Sequence, residues 1–560
     1  MTDYFNFNQF FGNYKSNNTD LFIELTQKIN QYVLPYIDTE KPFTKGDLEF
    51  KYFNYLNDKE LNKKSLSVDK VFEDIAFLFQ NIPNWGNPGT MLNVIPNVNI
   101  ASLVVAAYAS LFNPNFSQDR YAGLLLTAEL EVVKYISDLV DWNWKKSHGL
   151  FTFGGKGTNL YATKVALNRA YPKGKAEGYG KNDFFIISSK KGHPCHREVT
   201  DWVGIGSDNC IGINCNKKGE MLLKEAEDII CSNIEQGKIF LGFNLTGGST
   251  VEFEIDPIKE VAILRDEIKR KYNLEYSPLI HTDSVIAWVW LFFKHYDFSK
   301  NHLNIKIPIL DKIKHLAQQV SELEYADSFG VDFHKSGFCP AISSLFIVKD
   351  RTDIYNLGQS KTLEIEDLQF GNFSPFESSL ELSRSSFGAV SALVSLKTFG
   401  IEGFQKAIIQ LMSCSEFFRT ELQKIDFIEV LNEYSNGFAT LLIFKPTEYK
   451  TLTLDDILKL PQKDTNVIKD YNLNYALYVN ELNKQQKISF TLTASDAFNV
   501  NNTAVCLGTQ KAYPMSLFAT KEKIKQIINE MVETKRNFDK GGCINLNRIT
   551  NMPIDMVYRK

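Results

Sequence analysis

From about residue 100 the chain alternates two textures, and this alternation most narrows the folds open to it. "DFFIISS", "KIFLGFNL", "SPLIHTD" and "ISSLFIV" are short apolar runs bounded by turn residues. Such runs suit strands buried on both faces. Between them, "DPIKEVAILRDEIKRKY" and "PILDKIKHLAQQVSELEYA" have helical spacing of apolar positions, as do the earlier "ASLVVAAYASLF" and "RYAGLLLTAELEVVKYISDLV". Asp256 is the expected N-cap of the first, with Pro257 behind it. Strands alternating with helices predict an α/β fold with a mostly parallel, doubly wound central sheet. After the helical stretch "SFGAVSALVSLKTFGIEGFQKAIIQLMSCSEFFRTEL", the segments "FIEVLNE", "FATLLIFKP" and "KISFTLTA" alternate in polarity and predict a small antiparallel α+β domain. The expected division is an N-terminal segment over 1–100, an α/β domain over 101–395 and an α+β domain over 396–560.

Composition sets outer bounds. The 560 residues are 44% hydrophobic and 23% charged, which is globular, with length for a large core. The net charge of -4 is small and the basic residues are dispersed, so neither nucleic acid nor a membrane surface is an expected partner. The start lacks a basic stretch followed by an apolar run, so no secretory leader is expected. "NIASLVVAAYASLF" and "VIAWVWLFF" are too short to cross a bilayer. Eight scattered cysteines without a CxxC pair suit free thiols in a reducing cytoplasm, and no metal site is expected.

Four places carry chemistry. In "LFTFGGKGTNLYATKVALNRA" a strand end runs through Gly154, Gly155 and Gly157 into a helix. Glycines admit a ligand close to the backbone, and a helix start binds phosphate; a plain tight turn gives the same pattern. Thr158 and Asn159 add side-chain donors there. In "ISSKKGHPCHREV", His193 follows a strand and offers a flat ring for a planar ligand, with His196 as a rival for the role and a solvent-exposed histidine as the plain alternative. Asp283 in "SPLIHTDSVIAW" ends a buried strand, where open α/β sheets bind ligands, though an N-cap aspartate reads the same way. Lys335 in "GVDFHKSGFCP" lies between two expected core strands. A partly desolvated amine there can form a Schiff base with a carbonyl, whereas most lysines are surface charges.

Together these are the parts a pyridoxal phosphate enzyme needs: an amine for the aldehyde, a carboxylate for the pyridine nitrogen, a flat side chain for the ring and a glycine-rich helix start for the phosphate. Their order and wording resemble the group II pyridoxal phosphate-dependent amino-acid decarboxylases, the family of glutamate and aromatic amino-acid decarboxylases. The resemblance runs over about 85–415 and is carried by "FTFGGKGTNL", "HPCHREVTDWVGIG", "TGGSTVEFEIDPI", "HTDSVIAW", "ADSFGVDFHKSGF" and "LELSRSSFGAVSALVSLKTFG". It implies a fold type I pyridoxal phosphate-dependent enzyme that releases carbon dioxide from an acidic or aromatic L-amino acid, as a homodimer. It implies that Lys335 holds the cofactor as an imine, that Asp283 pairs with the pyridine nitrogen, and that His193 stacks on the ring. It places Lys156, Gly157, Thr158, Asn159, Thr246 and His334 among the cofactor contacts, and His281 and Ser249 just behind them. Arg384 and Tyr355 are its substrate-side residues. A carbon–carbon lyase, an aminotransferase and a non-catalytic homologue are the alternatives. The chain departs from the family at Val285, where an alanine is common against the ring, and at Ser336. A long spacing between Asp283 and Lys335 marks "KHYDFSKNHLNIKIP" as an insertion.

Overall fold

The computed structural model describes residues 18–47, 50–57, 59–216, 218–249, 253–358, 362–433, 435–445 and 509–540, with scattered residues between 452 and 493. Residues 250–252 of the "TGGSTVEF" stretch lie outside these.

The apolar runs form a seven-stranded sheet. Its strands are β1 (His148–Thr152), β2 (Phe184–Ser189), β3 (Cys210–Ile213), β4 (Ile239–Thr246), β5 (Leu279–Asp283), β6 (Ser328–Asp332) and β7 (Ser344–Val348), in the order β1-β7-β6-β5-β4-β2-β3. Neighbours from β3 through β6 pair in parallel; β7 runs against both β6 and β1. The sheet is therefore mostly parallel, and an apolar run alone could not reveal the reversed direction of β7. Both faces are covered. One packs Ile187, Phe243, Ile280, Phe329 and Ile347 into the main core. The other packs Leu150, Ile186, Leu241, Leu279 and Phe346 under the helix Gly155–Ala170 through Tyr161, Val165 and Ala166. That helix is buried along much of its length, so its sequence shows little amphipathicity.

Local chemistry revises two sequence expectations. "RYAGLLLTAELEVVKYISDLV" breaks at Gly123 (φ 61°) into a short turn and the helix Thr127–Leu139. Asp256 does not cap the helix Ile258–Lys271. Its carboxylate accepts from the backbone N–H of Met221 (3.1 Å) and Thr246 (2.8 Å), tying the end of β4 to the loop after β3.

The second sheet, β8 (Ile428–Val430), β9 (Thr440–Phe444), β10 (Thr491–Thr493) and β11 (Thr509–Ala512), is antiparallel in the order β10-β11-β9-β8 and has its own core. The helix Phe387–Leu422 joins the two bodies, turning at Gly400 (φ 56°). The 395/396 division therefore falls inside one helix. This helix has the length and apolarity of a membrane span. Ala389, Phe404, Leu411 and Phe418 are buried in the two cores, which accounts for that apolarity.

Candidate active site

The carboxyl ends of the parallel strands carry the chemistry, as expected where a doubly wound sheet changes winding direction. Asp332 ends β6, and the chain turns at once, so Lys335 folds back over it. The Lys335 Nζ lies 2.9 Å from Asp332 Oδ2. Ser344, opening β7, donates its hydroxyl to the other oxygen, Oδ1, at 2.5 Å. Asp332 is 1% exposed and Lys335 partly buried, so this lysine is no surface charge. Burial pulls the amine's pKa down, but the Asp332 and Asp283 carboxylates outweigh it and hold the pKa above its ordinary value.

Asp283 ends β5 and is buried. Its Oδ2 accepts from Asn159 Nδ2 (3.0 Å) and lies 3.2 Å from His196 Nε2. Its Oδ1 has no hydrogen-bond partner among the described residues. Burial alone would raise the carboxyl; the His196 hydrogen bond and the charges of His196, His193 and Lys335 hold it well below the usual range. A stable carboxylate with one open lone-pair edge suits a protonated ring nitrogen.

The two histidines separate cleanly. His196 opens the helix Cys195–Trp202, is buried, and links Ser188 Oγ (2.7 Å from Nδ1) to Asp283. His193 is exposed in the loop after β2, its Nδ1 accepting from the Cys195 N–H at 3.1 Å. The surrounding protein desolvates it, and with His196 and Lys335 nearby its pKa falls to about 4 despite the counter-pull of Asp283. A neutral, exposed ring can lie against a planar ligand. His281 sits behind Asp283 on β5, 2.9 Å from Ser328 Oγ.

The glycine turn is built for close approach. Gly154 has φ 132°, and a Cβ on Gly155 would lie 2.9 Å from Asp332 Oδ2 and 3.3 Å from Val285 Cγ1. Val285 thus packs between the turn and the lysine strand, and its backbone oxygen accepts from the Asp332 N–H (3.3 Å). Thr246, paired in register with Asp283, aims a buried hydroxyl with no hydrogen-bond partner among the described residues.

Several sequence-predicted contacts point elsewhere. Lys156 is exposed and ion-paired to Glu198. The Gly157 and Thr158 N–H groups are taken by Gly154 O (2.8 and 3.3 Å), and the Thr158 hydroxyl by Gly155 O (2.7 Å). The helix-start N–H groups left by position are those of Gly155 and Lys156. Asn159 serves Asp283 rather than a phosphate. His334 Nδ1 lies 3.1 Å from Ser343 O, and Ser249 bonds to Glu254. Ser336 donates to Ile286 O at 2.8 Å, locking the lysine turn.

The two substrate-side expectations need correction. Arg384 is buried and grips Glu129 with both nitrogens (2.5 and 3.0 Å), also donating to the carbonyls of Phe116 and Phe151. With both terminal nitrogens committed to Glu129 and to backbone carbonyls inside the protein, this guanidinium anchors β1 below the glycine turn rather than reaching a substrate carboxylate. Tyr355 packs on His148, 5.5 Å between ring centres, at the opposite end of the sheet. Asp332 is the contributor sequence reasoning missed; His196, weighed there as a rival for the ring face, instead orients Asp283. The only available signal for Asp332 was an acid three residues before the lysine.

Cys195, His196 and Asp283 place possible ligand atoms within 4.8 Å of one another. Asn159 and His196 already hydrogen-bond within this set, which reads as a network orienting Asp283. The open Asp283 oxygen, the unpartnered Thr246 hydroxyl and the glycine cradle fit pyridoxal phosphate.

An amine on a buried carboxylate, an anchored strand-end aspartate and a glycine-rich helix start define a class, the pyridoxal phosphate enzymes of α/β fold. Residues 51–299 and 309–445 match the profile of the pyridoxal-dependent decarboxylase conserved domain, and the chain belongs to that family. The break at 300–308 falls inside the expected insertion. The acidic amino acid decarboxylase GADL1 of Bos taurus is 23% identical over 342 residues, and that of Homo sapiens 22%. Each alignment covers 60% of this chain and 60% of the relative, so the chain spans about three fifths of these relatives' length. Among solved structures, mouse CSAD superposes with a TM-score of 0.75 at 17% identity, covering 92% of this chain and 99% of that one. Oryza sativa TDC with PLP and tryptamine gives 0.73 at 13%, covering 93% and 98%. These likenesses support the fold.

Proposed function

We propose that the chain is a pyridoxal phosphate-dependent decarboxylase of an acidic or aromatic L-amino acid. The observation that carries this is the Lys335 amine, held on a buried carboxylate beside an anchored aspartate with one open oxygen. When bound, the cofactor supplies an aldehyde that links to amines and a ring that takes up electrons from the bond being broken.

The protein's residues do the rest. Lys335 supplies the amine and must yield a proton to react. Asp283 Oδ1, left open because Asn159 and His196 occupy Oδ2, would accept from a protonated ring nitrogen. The Gly155 and Lys156 N–H groups and the Thr246 hydroxyl would hold the phosphate. His193 forms one wall and is neutral at physiological pH. The Cα–carboxylate bond breaks, its electron pair remains on the Cα side, and a proton replaces the lost carboxyl. The GADL1 relatives carry acidic amino acids in their name, and the Oryza sativa structure contains tryptamine, which is why both substrate classes stand.

A homodimer belongs to the same reading. The helix Ile100–Ser110 starts against the lysine turn, with the Asn99 N–H donating to Phe338 O at 2.7 Å. It exposes Ile100, Leu103, Val104 and Tyr108, and Phe153 and Ile342 are exposed near the cleft. An apolar face of this kind at a cleft edge suits a second subunit.

The test is carbon dioxide release from the common L-amino acids by protein supplied with pyridoxal phosphate. Turnover of an acidic or aromatic substrate, lost in Lys335→Ala, is expected. Equal release by that variant would refute the assignment. Conversion of a 2-oxo acid to its amino acid by protein carrying the coenzyme's amine form, without carbon dioxide, would indicate an aminotransferase.

A further inference from the structure

We propose that Asp332 is the fixed counter-ion of the Lys335 nitrogen and sets its protonation before and after cofactor attachment. This rests on the pyridoxal phosphate reading of the site. The geometry is specific. Asp332 closes β6 and is essentially excluded from water. One oxygen sits 2.9 Å from Lys335 Nζ, the other is held by the Ser344 hydroxyl, and its backbone N–H is held by Val285 O. Asp332 is therefore fixed by Ser344 at its carboxylate and by Val285 at its backbone, and presents its other oxygen to the amine. Gly155 leaves the space into which that edge projects, since a Cβ there would collide with Asp332 Oδ2.

Other charges face the same nitrogen. Asp283 stands at the end of β5, with His193 and Cys195 after β2; His334, on the lysine's own turn, lies 3.7 Å from the Asp332 carboxylate. Among these, Asp283 is committed to Asn159 and His196, while Asp332 alone pairs directly with Nζ. A buried opposite charge at contact distance favours the cationic nitrogen strongly. Two consequences follow. In the cofactor-free protein the amine stays protonated and reacts slowly with carbonyls. In the loaded protein the nitrogen that joins lysine to cofactor keeps its proton to higher pH.

The experiment is a pH titration of the loaded protein's visible absorbance band, in wild type, Asp332→Asn and Ser344→Ala. Amine labelling of Lys335 in the cofactor-free proteins, read by peptide mass, accompanies it. Asp332→Asn should lower both midpoints by about one pH unit or more. Ser344→Ala, which keeps the charge and loosens one clamp, should lower them by less. Unmoved midpoints in a folded Asp332→Asn protein would overturn the proposal. Should that variant not fold, unmoved midpoints in Ser344→Ala would do the same. Attachment of cofactor at Lys335 is checked separately by mass after reduction. If it fails in wild type, the functional reading falls while labelling still judges the counter-ion. If it succeeds with unmoved midpoints, only the counter-ion falls.

Discussion

Asp283 and Arg384 are both buried charges, yet they do opposite work. Asp283 has one oxygen occupied and one open, so it can meet a ligand. Asp283→Asn should keep the fold and bind cofactor but lose about 100-fold or more in turnover, because the fixed negative charge opposite the ring is gone. Steady-state kinetics alongside the cofactor spectrum checks this. The Arg384 guanidinium is spent on Glu129 and two carbonyls. Arg384→Ala should destabilise the protein by about 3–5 kcal/mol, since it strands the buried Glu129 carboxylate, and denaturant unfolding measures it. The sequence makes Lys335 and Asp283 legible because each is a charged residue at the end of an apolar run, where a charge needs a reason. It does not show that Arg384 is internal, since its partner Glu129 lies 255 positions away. Asp332, and the role of His196, escape because they depend on how a turn and a helix start aim the side chains, which spacing does not encode.

At the scale of elements, strands buried on both faces announce themselves as unbroken apolar runs, and β2, β4, β5 and β7 follow the predicted segments. Direction is not written in such a run, which is why the antiparallel β7 was not foreseen. Asp256 shows a second limit: aspartate before proline at a helix start reads as a cap, but here it joins β4 to a neighbouring loop. That buried site raises its pKa from 3.8 to about 6, desolvation outweighing its two backbone hydrogen bonds. With the folded pKa raised, its stabilising contribution is complete below pH 3.8 and is lost as pH rises through about 6. Asp256→Asn does not titrate. Its melting temperature relative to wild type should therefore rise between pH 4 and pH 7, as calorimetry across that window can show; a constant difference would contradict this. Gly400 allows the long helix to turn between the two bodies with φ 56°. Gly400→Ala should cost about 1–3 kcal/mol through backbone strain alone, because a Cβ there meets no atom within 4 Å.

The whole molecule places one sheet's carboxyl edge, one glycine turn and one apolar helix side by side. If that helix face is where a second subunit sits, Val104→Glu should shift the protein from dimer to monomer and reduce turnover without lowering cofactor attachment per chain. Sedimentation velocity reads the first effect; an unchanged dimer would remove this face from the interface. All of this depends on whether residue 335 is the point of covalent union with the cofactor. The most direct measurement is borohydride reduction of the protein mixed with pyridoxal phosphate, followed by peptide mass analysis. The account predicts a single phosphopyridoxyl group on the peptide containing Lys335 and none in Lys335→Ala. Modification of a different lysine, or equal modification of the variant, would contradict it.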